Sequence, residues 1–266
     1  SGIEGSESAT YWPGHEGMYP RYPERFGGRQ PAAGHYPEWT AMLGRCQKML
    51  RQGAPRRDIA ILRTDYRFVN YGKPKGYDTF ECNYMMHDKA YFWRDLNLQA
   101  AGYTYDYFSP LLLLDEERTA CRDGELLPDG PGYRAVILYQ QQLELPCAKK
   151  LLEIAKAGVP VIFVNGTSET ITHDAEGGIV HGAAASESHS LSEDDEDVRA
   201  VVRQIKALGN VMEIDGTKAA PEALSRLGVQ PRVRFAEENR RVLTCSRWDA
   251  EKDMLYTFAY CFKFRA

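Results

Sequence analysis

The chain of 266 residues lacks every short signature that would announce a nucleotide or metal cofactor. It contains no GxGxxG and no GxxxxGKS/T, so neither of the glycine-rich turns that cradle a pyrophosphate or a nucleoside triphosphate is present. Six cysteines are available (Cys46, Cys82, Cys121, Cys147, Cys245 and Cys261), yet none forms CxxC and none pairs with histidine at zinc-finger spacing. The histidines, His15, His35, His87, His173, His181 and His189, include no HExxH. No cofactor and no metal site are therefore expected. A run of 18 apolar residues is missing too, which argues against a membrane-spanning helix. Basic charge is not in excess: 33 Lys and Arg against 37 Asp and Glu leave a net charge of −4. The general attraction to phosphate backbones shown by nucleic-acid binders is then missing. The first residues, Ser1-Gly2-Ile3-Glu4-Gly5, carry neither the basic nor the apolar region of a signal peptide, nor an initiator Met. The expectation is a processed chain, or a piece cut from something larger.

What is present has the hydrophobic share (43%) and charged share (26%) of a globular protein. Several cysteines lie in apolar runs, where a free thiol behaves as a small hydrophobe. Reduced core thiols point to a reducing, cytoplasmic compartment. Residues 1–35 are rich in Gly, Pro, Tyr and Arg without helical or strand period. Their aromatics argue against disorder, and long ordered loops of this kind are usually functional or packed on another body. Residues 37–50 place Trp39, Met42, Leu43, Cys46, Met49 and Leu50 at helical spacing, with Gly53 and Pro55 as the stop.

From residue 57 strands and helices alternate. Asp58-Ile59-Ala60-Ile61-Leu62-Arg63, then 103–108, 133–139, 159–164 and 210–214 read as strands. Residues 88–101, 146–157 and a segment capped by Ser192 and ended by Gly209 read as helices. Near-continuous apolar strands between helices mean a parallel sheet covered on both faces. The fold class is α/β: a flavodoxin-like or Rossmann-like three-layer parallel sheet. An irregular aromatic-rich N-terminal segment precedes it and a C-terminal β-hairpin follows, built from 241–246 and 254–264 with 247–253 as the connection. The corresponding domains are 1–55, 56–235 and 236–266. Residues 183–197, rich in Ser, Ala and acids, read as a loop leading into a helix.

Such a sheet can carry a nucleophile elbow, which needs Ser or Cys flanked by glycines at a strand end. The relevant strand instead runs into Tyr139-Gln140-Gln141-Gln142-Leu143, and Cys147, further on, reads as a packed thiol. Gly166-Thr167-Ser168 offers one glycine for an anion, and 174–178 between His173 and His181 reads as a β-turn. The densest chemistry lies near the start, where Tyr11, Trp12, His15, Glu16, Tyr19, Tyr22, Arg25, Phe26 and Arg29 share one stretch. Flat aromatic faces beside carboxylate, His and Arg suit the apolar and hydroxylated faces of a sugar. The plainer alternative is a loop clamped onto the sheet by its aromatics.

The order of short peptides adds a family likeness. Trp12-Pro13-Gly14 and Arg29-Gln30-Pro31 precede a helix with Arg45-Cys46-Gln47 and Leu50-Arg51-Gln52-Gly53, followed by Arg57-Asp58-Ile59-Ala60-Ile61-Leu62. This resembles the junction in large bacterial glycoside hydrolases where a catalytic (β/α)8 barrel hands over to a flavodoxin-like domain. The α-L-rhamnosidases of glycoside hydrolase family 106 are the nearest likeness, and the trimerisation domain of family 42 β-galactosidases a more distant one. Tyr103-Thr104-Tyr105-Asp106-Tyr107, the Ala-Gly-Val turn before the strand at 159–164, and the closing residues 247–264 are similar to the same region. The resemblance implies a carbohydrate substrate and a chain that works with the rest of a larger protein or as a homo-oligomer. It also implies that most of the barrel lies outside this sequence, so the chain alone is expected to be inactive. Within it, Glu16 is the candidate general acid, and Tyr11, Trp12, His15 and Arg29 are candidate substrate contacts. Asp65 and Asp106, expected after the first two strands, join that set, because strand C-terminal ends converge on one edge of such a sheet. The alternative function is a non-catalytic α/β scaffold or oligomerisation module without a small-molecule site. Neither nucleic acid nor membrane is expected as a partner.

Overall fold

The computed structural model describes residues 31–62, 96–138, 143–164, 171–173, 179–181, 193–214, 217–239 and 241–261. In chain order its strands are β1 (Ala54–Arg56), β2 (Ile59–Leu62), β3 (Tyr105–Phe108), β4 (Cys121–Arg122), β5 (Glu125–Leu126), β6 (Ala135–Leu138), β7 (Val161–Val164), β8 (Ile171–His173), β9 (Ile179–His181), β10 (Val211–Ile214), β11 (Val242–Asp249) and β12 (Met254–Cys261). The α-helices are α1 (Tyr36–Leu50), α2 (Leu96–Ala100), α3 (Leu145–Lys156), α4 (Asp195–Lys206) and α5 (Ala220–Arg226).

Three tetrapeptides without a polar side chain, IAIL, AVIL and VIFV, make β2, β6 and β7, and every residue in them is buried. A strand that is apolar at all positions has no face for water, so it must lie mid-sheet with cover on both sides. The five-stranded parallel sheet has the order β10-β7-β6-β2-β3. Counting only its own strands, this is 2-1-3-4-5, the flavodoxin-like order. Ala60, Leu62, Val136, Leu138, Val161 and Phe163 face one core, which α3 and α4 close with Leu151, Ile154, Val198 and Ile205. Ile59, Ile61, Ile137, Ile162 and Val164 face the other, which Leu98 of α2 and Ala223 and Leu224 of α5 close. Each such fully buried aliphatic or aromatic side chain contributes roughly 1.5–3 kcal/mol of transfer free energy. Sheet and two helical layers give the three-layer α/β architecture read from the sequence.

Local chemistry sets the helix limits. Pro146 sits in the first turn of α3, where its missing N–H costs nothing. Gly158 ends that helix at φ +94°, its N–H donating to the Ala155 carbonyl. The expected cap at Ser192 is displaced: α4 begins at Asp195 with Asp194 as N-cap, and Asp195, Glu196 and Asp197 fill the positive end of the helix dipole. The strand expected from 103 starts at Tyr105, because Tyr103 turns back to donate its hydroxyl to the Val229 carbonyl at 2.8 Å. His173 and His181 belong to the antiparallel pair β8–β9, around residues 174–178, which lie outside those described. At the C-terminal end β11 continues through Arg247, Trp248 and Asp249, so the connection shrinks from the expected 247–253 to 250–253. Asp249 tightens this turn by accepting from the Lys252 ammonium at 2.6 Å. β1, β11 and β12 form a second sheet in that order.

The chain divides into two compact units, Ser1–Gly53 with Arg247–Phe258, and Ala54–Ser246 with Ala259–Ala266. In the first, the Arg247 guanidinium donates to the carbonyls of Gln52 and Gly53. The second holds the parallel sheet.

Candidate functional site

In open α/β sheets, ligands collect outside the carboxyl ends of the strands, where the strand order reverses. Here that point lies between Leu62, the last residue of β2, and Leu138, the last of β6. Leu62, Leu138, Val164 and Phe108 end their strands buried and apolar. Asp65, expected just beyond β2, lies outside the described residues, as do Tyr139-Gln140-Gln141-Gln142 and Gly166-Thr167-Ser168. Tyr11, Trp12, His15, Glu16 and Arg29 also lie outside them.

Asp106 is described, and its position corrects the expectation. It is not beyond the strand but is the second residue of β3, in register with Ala60. That places it two residues, or about 7 Å, back from the carboxyl end of the strand. It accepts from Arg57 Nε at 3.2 Å and from the Tyr133 hydroxyl at 3.1 Å. Burial of the Arg57 guanidinium pulls its pKa down, but Asp106 and Cys245 together outweigh this and hold it raised. The Tyr133 hydroxyl is held protonated far above its ordinary range, first by burial and then by Asp106. Asp106 is therefore an anchored acceptor with 41% of its side chain exposed.

Next to it, the amino-terminal edge of the sheet is closed by a buried ionic cluster centred on Asp58, which has no exposed surface. Oδ1 accepts from Arg134 Nη2 at 2.8 Å, from the Arg232 backbone N–H at 3.1 Å and from Arg232 Nη1 at 3.3 Å. Oδ2 accepts from the backbone N–H and hydroxyl of Thr104 at 2.9 and 2.8 Å. Arg232 also donates to Glu125 and to the Gly132 carbonyl. Burial, then the neighbouring Arg134, lowers the Arg232 pKa. A carboxylate saturated in this way binds the chain together and has no lone pair directed at a ligand.

Cys147 occupies the first turn of α3, fully buried, and its thiol is pushed up to about 11 by burial and then by Glu144. At neutral pH it is a protonated packing group and cannot supply the thiolate that nucleophilic catalysis needs. Among the described residues no group of three or more His, Cys, Asp or Glu is placed to hold a metal ion, and no helix is long and apolar enough to cross a membrane.

Sequence reasoning passed over Asp58, Arg134 and Gln99. Asp58 and Arg134 did leave a signal: each directly precedes an apolar run, and the register Ile59↔Ala135 puts opposite charges side by side. Gln99 left none. Comparison with protein-family models, with curated proteins and with solved structures finds no match.

Proposed function

We propose that this chain is part of a carbohydrate-active enzyme, a glycoside hydrolase, in which the flavodoxin-like sheet is a scaffold and residues 11–29 supply one wall of a sugar-binding cleft. The observation that carries this reading is α1. Its apolar stripe contains no buried residue, and Trp39 and Met42 are 40% and 44% exposed. An amphipathic helix gains most of its stability from burying its stripe, so α1 is built to pack on a larger body. In the family 106 likeness that body is the catalytic barrel, whose last strand the aromatic segment with Trp12, His15 and Glu16 follows in chain order. Glu16 is the proposed acid, with Tyr11, Trp12, His15, Arg29 and Asp65 as sugar contacts.

The second reading, a non-catalytic scaffold or oligomerisation module, draws support from the buried apolar ends of β2, β3, β6 and β7, which bring no described polar side chain to the carboxyl edge. Titration of intrinsic fluorescence with L-rhamnose and D-galactose separates the two. The enzyme reading gives a saturable change that is lost in Trp12→Phe. No sugar response, together with concentration-dependent self-association by sedimentation, establishes the scaffold reading instead.

A further inference from the structure

Beside β3, the edge strand of the parallel sheet, lies a cavity of about 250 Å³ whose lining includes Arg57, Gln99, Tyr105, Asp106, Phe235 and Thr244. Gln99 is 5% exposed, and neither its Nε2 nor its Oε1 has a hydrogen-bond partner. A buried amide in this state carries the desolvation of a donor and an acceptor with no return. Natural proteins retain such groups where something else completes them. The rest of the lining says what would. Arg57 and Asp106 are paired with each other, so the cavity presents no net charge and offers little to an ion. The Asp106 side chain is 41% exposed and its oxygens each have a lone pair beyond the one taken by Arg57 or Tyr133, Thr244 offers a hydroxyl, and Tyr105 and Phe235 supply ring surfaces. Donors and acceptors interleaved with aromatic faces fit a ligand that is hydroxylated on its rim and apolar on its ring face. The volume falls below the ~300–1,000 Å³ of pockets that take drug-sized molecules, which limits the ligand to about one sugar ring.

We propose that this cavity is a binding site for a neutral, monosaccharide-sized polyhydroxylated ligand, toward which the Gln99 amide, covered in this structure, turns on binding. Its lining includes none of the residues that end β2, β3, β6 and β7, and it does not rest on the glycoside hydrolase reading.

The test uses the full chain labelled with ¹⁵N and follows the Gln99 side-chain NH₂ resonance during titration with L-rhamnose, D-galactose and D-glucose. Acetate and ethylammonium serve as charged probes. The proposal requires a saturable shift of that resonance with at least one sugar by ~100 mM, about a hundred times a millimolar Kd. Gln99→Met, which removes both unpaired atoms, keeps or raises Tm and weakens the sugar about tenfold or more, as the loss of one good hydrogen bond does. Thr244→Val weakens it as well; the Gln99 resonance reports on this cavity and the Trp12-dependent fluorescence on the proposed cleft, so the two fail independently. No shift at Gln99 with any sugar, equal affinity in Gln99→Met, or a response to the charged probes alone would overturn the proposal. If Gln99→Met does not fold, the wild-type resonance and Thr244→Val decide.

Discussion

Asp58 is the residue whose loss the fold should feel most. Its carboxylate joins Thr104 to Arg134 and Arg232, three segments from distant parts of the chain, at a point from which water is excluded. Removing one partner of a buried charge cluster leaves the others uncompensated, at a cost of about 3–5 kcal/mol. Asp58→Ala is expected to lower the urea midpoint accordingly, with circular dichroism as the readout. A change below about 1 kcal/mol would mean that Arg134 and Arg232 find water or other acceptors. Only half of this cluster was legible in the sequence. Asp58 and Arg134 each stand one position before an apolar strand, and a parallel pairing brings them together. Arg232 is 174 positions from Asp58 and sits in an irregular segment. Nothing in periodicity or composition predicts where such a segment will cross a sheet edge. Asp106 is a different case: the strand over 103–108 reads with its carboxyl end at Phe108, as observed, and already contains Asp106, so its placement beyond that strand did not follow from the pattern.

At the scale of elements, legibility follows the strength of the burial pattern. β2, β6 and β7 could be read because four consecutive apolar residues between helices admit only a central strand. The helix α5, seven residues long, and the two-residue strands β4 and β5 were missed, because elements this short are set by tertiary contact and carry no period of their own. Amide exchange should rank the strands in the same way. Protection is greatest in β2, β6 and β7 and lower in β10, where Val211, Met212 and Glu213 are only partly covered or exposed. Equal protection across all five would contradict the observed edge positions. In α3, the buried Cys147 thiol has its pKa raised from 9.0 to about 11, and the Tyr103 hydroxyl, also through burial first, from 10.0 to about 12. The folded state therefore holds protons that the unfolded chain releases. The associated stability is complete below pH 9 and falls as pH rises through 11 to 12. Thermal unfolding scanned over that range should show Tm dropping with pH, and less steeply in Cys147→Ala. An unchanged slope in the variant would show that the thiol is hydrated in the native state.

At the scale of the molecule, a sheet with flavodoxin-like order but no glycine-rich turn after β2 is a framework without the feature that usually gives this fold its nucleotide. The central claim is that the chain contributes structure and sugar contact, while the paired carboxylates of glycosidic cleavage are not both carried by it. Cleavage needs two carboxyl groups held ~5–5.5 Å apart for retention or ~6.5–9.5 Å for inversion. Asp58 is saturated by its partners and Asp106 is tied to Arg57 and Tyr133, so neither is free to serve as the second group. The most direct measurement is the release of p-nitrophenol from aryl α-L-rhamnoside and aryl β-galactoside by the purified chain, alongside Glu16→Gln and Asp65→Asn. The account predicts no turnover above the uncatalysed rate for any of the three proteins. Turnover by the parent chain that either substitution abolishes would place a complete active site within these 266 residues and contradict it.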